Sequence, residues 1–172
     1  MRFLPLLLLL CLAMPVRASD LTLFGGAQRE GKLTFQQVSG AFTSLNTRSF
    51  GNFGVRFSQG GIIGSEHTLS YSPNFISTQS HALFYHSNFK VEAPFPVIRP
   101  YATAGLGTVY IGGNILEALH GAKFAINYGG GVKVKPAGPI GIQVGARGYR
   151  IFGLQDSSMN VLEVSAGVVF FF

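Results

Sequence analysis

The end of the chain, from Asn160 to Phe172, alternates between apolar and polar positions. Every second residue back from Phe172 is apolar, whereas the interleaved residues are small or polar except at the two ends of the segment. Strict alternation predicts a β-strand with one apolar face and one mixed face. A strand of about 10 residues, tilted by about 45°, is long enough to cross a bilayer, and terminal aromatic residues fit an interfacial girdle. The pattern therefore favours a membrane-spanning strand that ends at Phe172.

Seven earlier segments alternate in the same way and are separated by turn signals such as Gly60-Gly61 and Ser72-Pro73-Asn74. The longest connection is expected at Glu30–Arg48 and the last one at Phe152–Met159. The proline-rich segment Glu92–Pro100 is expected to be a turn rather than a strand. The predicted strands before the last one cover residues 20–29, 50–59, 62–71, 80–91, 101–111, 124–135 and 140–151.

The composition narrows the fold class. Hydrophobic residues make up 47% of the chain and charged residues 12%, and this charged share is about half of that in ordinary soluble domains. After residue 18, no run of about 18 apolar residues offers a transmembrane helix, so a membrane-spanning chain of this kind must close into a barrel. We predict an all-β fold, an eight-stranded antiparallel up-and-down transmembrane β-barrel with both termini in the periplasm. The alternative is a soluble β-sandwich, in which the apolar faces would pack on each other.

The first 18 residues have the pattern of a secretory signal peptide. A short basic start is followed by the apolar stretch Leu4–Met14, and Val16-Arg17-Ala18 fits a cleavage site. We therefore predict a signal peptide at residues 1–18 and one barrel domain at residues 19–172. The chain's single cysteine, Cys11, lies in the predicted signal peptide, and Leu10 before it argues against a lipid anchor. Neither a disulfide nor a thiolate site is expected in the mature chain.

Three glycine-rich segments carry a resemblance to a known family. Leu21–Gly26, Pro100–Gly107 and Asn127–Lys133 resemble strands of the OmpA-like/OmpX-like eight-stranded outer-membrane β-barrel domain family. The terminal pattern of Phe172, Phe170 and Val168 is similar to the family's signal for the barrel-assembly machinery. The resemblance implies a monomer in the cell outer membrane of a Gram-negative bacterium that contacts lipid and lipopolysaccharide. No peptidoglycan-binding domain follows Phe172, so anchoring to the cell wall is not expected.

Charged residues on the inward-facing side of the predicted strands must be paired inside the barrel. An eight-stranded barrel has an interior just wide enough for side chains to fill, and a buried charge needs a partner. Arg56 and Glu66 lie about equally far from the Gly60-Gly61 turn, and Arg147 and Glu163 are similarly opposed across the last loop. We predict that each pair forms an ion pair between adjacent strands and helps to fill the lumen. The alternative is that these residues line an ion path.

Four histidines raise the possibility of catalysis. Within the resembled family, lipid A deacylases use a histidine and a serine near the outer rim, where the histidine activates the serine. No His-x-Ser sequence stands in the last predicted strands, and no carboxylate is placed to orient a histidine. His81 and His86 lie on opposite faces of one predicted strand, which makes a shared metal site unfavourable. We therefore predict no catalytic, cofactor-binding or metal-binding residue.

The sequence favours an integral outer-membrane protein that is not an enzyme. Its predicted role is structural support of the envelope, or surface interaction through the extracellular loops. The alternatives are a narrow pore for small solutes and, less favoured, a lipid A-modifying hydrolase. Without Arg2 and Arg17 of the predicted signal peptide, 13 − 2 = 11 basic residues face 7 acidic ones, a net charge of +4. This modest basicity fits contact with lipid A phosphates, although solvated loop charges explain it more simply. Nucleic acid is not expected as a partner, because the chain carries an export signal and its tyrosines suit interfacial girdles.

Overall fold

The computed structural model describes residues 19–30, 34–36, 42–44, 49–75, 77–114, 120–154 and 157–172. Within these residues, eight antiparallel strands close into one barrel, and two short strands form a separate sheet. The predicted signal peptide, residues 1–18, lies outside the described residues and remains a prediction. The barrel strands are β1 (Asp20–Glu30), β4 (Ser49–Gly60), β5 (Ile63–Pro73), β6 (Ser80–Glu92), β7 (Ile98–Gly113), β8 (Gly121–Val134), β9 (Ile140–Leu154) and β10 (Ser157–Phe171).

The first and last strands close the barrel. β1 pairs with β10 along its whole length, from Asp20 opposite Phe171 to Glu30 opposite Val161, and its other edge pairs with β4. Every other barrel strand pairs with its two neighbours in the chain, so the topology is up-and-down. Closure removes the free strand edges that would otherwise expose unpaired backbone groups. The predicted eight-stranded all-β barrel is therefore confirmed.

Side chains alternate between a lipid-facing outer surface and a filled lumen, as the period of two requires. Leu106 is 59% exposed and Tyr128 is 66% exposed, whereas Glu163 and Lys133 in the lumen are fully buried. The described residues contain no helix that is long and apolar enough to cross a membrane. The strand faces predicted from the alternation agree with the structure. Outward apolar residues include Leu23, Phe53, Val55, Leu69, Leu83, Tyr85, Phe89, Ile142, Val144, Leu162, Val164 and Val168.

Several strands extend beyond their predicted bounds. β7 begins at Ile98 and includes Pro100, which the sequence assigned to a turn. Proline is tolerated there because the β6–β7 ladder ends at the pair of Glu92 and Tyr101, so Pro100 lies beyond the last residue of β6. Its carbonyl still accepts a hydrogen bond from the Ala93 N–H at 2.9 Å. The predicted turn at Glu92–Pro100 was therefore too long, and Glu92 itself belongs to β6.

Two connections at the same end of the barrel differ from the prediction. The segment expected to be the longest loop holds the short strands β2 (Thr34–Gln36) and β3 (Phe42–Ser44), which pair with each other. We call the end of the barrel that carries this connection the outer end, and the opposite end the inner end. The last connection is shorter than predicted, because β9 runs to Leu154 and β10 begins at Ser157. Ladder pairing extends the strands there beyond the point at which clean alternation stops.

Candidate functional site

The middle of the lumen holds a carboxylate that accepts hydrogen bonds from donors on three other strands. Glu163 on β10 accepts a hydrogen bond from the Arg56 guanidinium of β4 at 2.5 Å, across the intervening strand β1. Its other carboxylate oxygen accepts from Asn52 at 2.7 Å and from the Tyr149 hydroxyl at 3.1 Å. Gln28 donates to the same oxygen at 3.1 Å. Both charged groups are buried, so this network provides the pairing that a charge inside the barrel requires.

A second ion pair crosses the full width of the lumen. Arg147 on β9 donates to Glu66 on β5 at 2.6 Å. These strands are separated by β8, β7 and β6 on one side and by β10, β1 and β4 on the other. Thr68 and Asn88 also donate to the same Glu66 oxygen, each at 3.2 Å. The pair therefore ties opposite walls of the barrel together.

The structure places all four predicted lumen residues inside the barrel but exchanges their partners. The predicted ion pairs, Arg56 with Glu66 and Arg147 with Glu163, were wrong. Glu163 does lie directly opposite Arg147 in the β9–β10 ladder, yet side chains on neighbouring strands project side by side from one wall. Arg147 instead reaches across the lumen to Glu66 on the opposite wall, and Arg56 reaches past β1 to Glu163. The assignment of these residues to a structural role remains a prediction.

A cluster of charges fills the inner end of the lumen. Lys133 donates to Asp20 at 2.6 Å and to Glu92 at 3.1 Å, and Lys90 donates to Glu92 at 3.1 Å. Arg99 contacts Glu92 at 3.3 Å. The sequence-based prediction of inward charges did not include Asp20 or Glu92. Alternation could have found them, because Asp20 shares a face with Thr22 and Glu92 shares a face with Lys90.

The outer end of the lumen is closed by apolar side chains. Phe75, from the connection between β5 and β6, is fully buried and packs edge-on against Phe50 and Phe84, with ring centroids 5.0 Å and 5.4 Å away. Sequence analysis missed Phe75 because it lies outside the alternating segments. These three rings belong to an apolar plug that lies on the outer side of the charged layers. The plug also includes Ala82, Val109, Ile111, Ala125, Tyr149, Ile151, Leu154, Met159 and Val161.

The four histidines do not assemble a catalytic group within the described residues. His67 forms a hydrogen bond with the Tyr85 hydroxyl at 3.3 Å, and His120 with the Gly113 carbonyl at 2.7 Å. His81 stacks on Tyr71 with ring centroids 6.0 Å apart. His86 is buried in the lumen, and neither of its ring nitrogens has a hydrogen-bond partner there. In the part of the chain that the structure describes, no three His, Cys, Asp or Glu residues lie close enough together to hold a metal ion.

The C-terminal residues of the predicted assembly signal share the outward face of β10. Val168 is 43% exposed and Phe172 is 73% exposed, and the Phe172 N–H donates to the Ser19 carbonyl at 3.0 Å. The intervening Phe171 turns inward, where the Lys135 ammonium lies 4.7 Å from its ring centroid. The end of the chain therefore presents an apolar edge to lipid and an aromatic ring to the inner mouth of the lumen.

A protein-family model matches the chain over the whole barrel. The family model described as "Outer membrane protein beta-barrel domain" matches residues 4–172. No curated protein matches the chain in sequence. The resemblance to eight-stranded outer-membrane barrels is therefore supported by a match over nearly the whole chain.

Solved structures of outer-membrane proteins share this fold. Neisserial surface protein A superposes with a TM-score of 0.67 at 11% identity, covering 90% of this chain and 98% of that one. The N-terminal β-barrel domain of Pseudomonas aeruginosa OprF gives 0.57 at 18% identity, covering 92% and 100%. The outer membrane enzyme PagL gives 0.52 at 15% identity, covering 86% and 97%. At these identities the similarity establishes the fold alone.

Proposed function

Because the chain belongs to the outer membrane protein β-barrel domain family and lies in the outer membrane of a Gram-negative bacterium, we propose that it is a closed, non-enzymatic structural barrel. In this proposal it supports envelope integrity, and it presents its outer connections for surface interaction. Its partners are outer-membrane lipid and lipopolysaccharide, and the barrel-assembly machinery inserts it as a monomer.

The filling of the lumen is the observation that carries this proposal. Arg147 and Glu66 meet in the middle of the lumen, with 2.6 Å between the guanidinium nitrogen and the carboxylate oxygen. The fully buried Phe75 ring lies in the outer plug. The inner charge cluster lies on the opposite side of these layers. A solute moving along the barrel axis would have to displace both the apolar plug and a buried ion pair. Breaking the ion pair would leave buried charges without partners, which is strongly unfavourable. Such an interior favours a structural role over the alternative of a narrow pore.

The outer connections are the surface available for interaction. The longest of them, between β1 and β4, contains the paired strands β2 and β3. Loops supported by a rigid scaffold commonly carry binding function, and the barrel provides such a scaffold. This supports surface interaction as the second part of the proposal.

Conductance measurements test the closed state directly. The purified barrel is added to planar bilayers, with a 16-stranded porin as the conducting control. We expect no steady single-channel conductance from the wild-type barrel. A reproducible conductance step would contradict the proposal and favour the narrow pore.

A deletion strain tests the proposed role in the envelope. We expect the strain to become more sensitive to detergent and to large antibiotics, and to recover when the wild-type gene is restored. The lipid A mass spectrum should be the same in both strains. A change in lipid A mass that depends on the protein would instead identify a lipid A-modifying enzyme and overturn the non-enzymatic proposal.

A further inference from the structure

Two arginines lie on the outward face of the barrel, where the other described residues are mainly apolar. Arg29 on β1 and Arg150 on β9 are both exposed, and the exposed Asn160 lies between them on β10. A charged residue on the lipid-facing surface is destabilising at the middle of the bilayer and is tolerated near its surfaces. Both arginines lie near the outer ends of their strands, so they belong at the outer surface of the bilayer.

The strand register brings these three residues together. Arg29 lies opposite Leu162 and Arg150 lies opposite Asn160, and Asn160 and Leu162 are successive outward residues of β10. Two strand spacings of about 5 Å each place the backbones of β1 and β9 about 10 Å apart. The two guanidinium groups therefore flank a single strand that carries an amide side chain.

The carboxylates whose side chains the structure describes are engaged elsewhere. Asp20, Glu66, Glu92 and Glu163 are all buried in the lumen, and each forms its ion pairs there. The Arg150 guanidinium instead lies 5.5 Å from the centroid of the Phe152 ring. Among the side chains that the structure describes, neither guanidinium group has an anionic partner, and hydrocarbon offers their N–H groups no acceptor.

A groove runs beside the arginines along the same face. It has a volume of about 320 Å³, and Arg29, Tyr128, Gly148 and Asn160 are among its lining residues. Because Gly148 has no side chain, the Tyr128 ring packs over it, and a Cβ at this position would lie 3.2 Å from that ring. Arg29 and Asn160 line the same groove, near the outer end of the strands.

A second groove continues toward the middle of the bilayer on the same four strands. It has a volume of about 550 Å³ and an almost entirely apolar lining. Val164 follows Leu162 by two residues on β10, and Ala146 precedes Gly148 by two residues on β9, so the two grooves are consecutive along the outward face. The second groove is lined by small and aliphatic outward residues that include Gly25, Gly130, Val144, Ala146, Val164 and Ala166.

We propose that this outward surface, formed by Arg29, Arg150, Asn160, Tyr128 and Gly148, binds a phosphorylated lipid of the outer leaflet. The phosphate lies between the two guanidinium groups, whose planar donors match phosphate oxygens, and Asn160 adds an amide donor. One acyl chain follows the apolar groove toward Ala146. The charge and the apolar groove are complementary to the two ends of one lipid molecule, whereas an acidic peptide would leave the apolar groove unused. The site rests on the proposed contact with lipopolysaccharide and gives it a location, but it does not depend on whether the lumen conducts.

Lipid binding to the purified barrel in neutral detergent micelles tests the proposal. The probe is bisphosphorylated lipid A, and bound copies are counted by native mass spectrometry. We expect Arg29→Gln and Arg150→Gln each to weaken binding by about tenfold, the effect of losing one charge-assisted hydrogen-bond partner. Ala146→Phe should also weaken binding, because it fills the acyl groove without changing charge. All variants are first checked for the heat-dependent gel shift of a folded barrel.

Matched controls separate a specific site from general charge attraction. The double variant Arg29→Gln/Arg150→Gln is compared with Arg99→Gln/Lys135→Gln, which removes the same charge at the inner end. The proposal is overturned if both double variants bind alike, or if the outer double variant binds like wild type. Equal binding of lipid A without phosphates would show that only the acyl chains are recognised. Displacement of lipid A by millimolar inorganic phosphate would show a free-anion site instead of a lipid site.

Discussion

Arg147 and Glu66 project from opposite walls of the barrel and meet in the lumen, where the guanidinium donates to the carboxylate at 2.6 Å. Their strands, β9 and β5, are as far apart as two strands of this closed sheet can be. The contact braces the barrel across its diameter, in addition to the backbone ladders around its circumference.

Glu66→Gln should destabilise the barrel strongly. The substitution leaves the Arg147 guanidinium buried without its carboxylate, and breaking a buried ion pair in this way costs about 3–5 kcal/mol. The double variant Glu66→Leu/Arg147→Met removes both charges and should recover most of that loss. Urea unfolding in micelles, followed by gel mobility without boiling, measures both. If the double variant were as unstable as the single one, an uncompensated charge would not be the cause.

The exchanged partners can be tested by double-mutant cycles. We expect the cycle between Arg56 and Glu163 to give a larger coupling free energy than the cycle between Arg56 and Glu66, because the first two residues are 2.5 Å apart. Couplings in contacting pairs are about 0.5–3 kcal/mol. Unfolding free energies of Arg56→Met, Glu163→Gln, Glu66→Gln and the two double variants provide both cycles. A larger coupling between Arg56 and Glu66 would support the pairing expected from the sequence.

Lys133 and Lys135 provide a matched test of the inner charge cluster. Lys133 is fully buried and contacts both Asp20 and Glu92, whereas Lys135 is partly exposed near Phe171. Lys133→Met should cost about 3 kcal/mol of unfolding free energy because it leaves two buried carboxylates with fewer partners. Lys135→Met should change it by less than about 1 kcal/mol. Equal losses in urea unfolding would show that the cluster adds nothing specific.

Phe75 should stabilise the outer plug. Phe75→Ala removes a fully buried ring that packs between Phe50 and Phe84, and large-to-small changes of this kind cost about 3–5 kcal/mol. Phe95→Ala, in the β6–β7 connection at the inner end, is the control, because Phe95 is 57% exposed. It should change the unfolding free energy by less than about 1 kcal/mol. A stability loss no larger than that of the control would mean that Phe75 does not pack in the plug in solution.

The C-terminal aromatic residue offers a test of assembly rather than stability. Phe172→Ala should reduce the fraction of protein that reaches the outer membrane, since the resembled family uses this end as an assembly signal. Phe89→Ala is the matched control, because Phe89 is an outward phenylalanine with 57% exposure away from the chain end. Quantifying the heat-shifted band in outer-membrane fractions compares the two. Equal incorporation of both variants would remove Phe172 from the assembly signal.

Pro100 and Phe75 are two residues whose positions the alternation of apolar and polar residues does not predict. The segment around Pro100 lacks clean alternation and contains three prolines, so it predicts a turn, yet pairing with β8 carries β7 back to Ile98. Phe75 is apolar in a connection, and nothing in its neighbours along the chain indicates that it packs inside the barrel. In both cases a contact with a distant strand decides the conformation, and such contacts have no local sequence period.

The sequence by itself determined the number of barrel strands and the lipid-facing and lumen-facing sets, because a period of two is a local property of each strand. It also determined which charges face inward, as Arg56, Glu66, Arg147 and Glu163 show. Only the tertiary structure decided which of these charges pair. Pairing depends on the diameter of the barrel and the reach of each side chain across it. The same closure places Arg29 and Arg150, far apart in the chain, on either side of one strand.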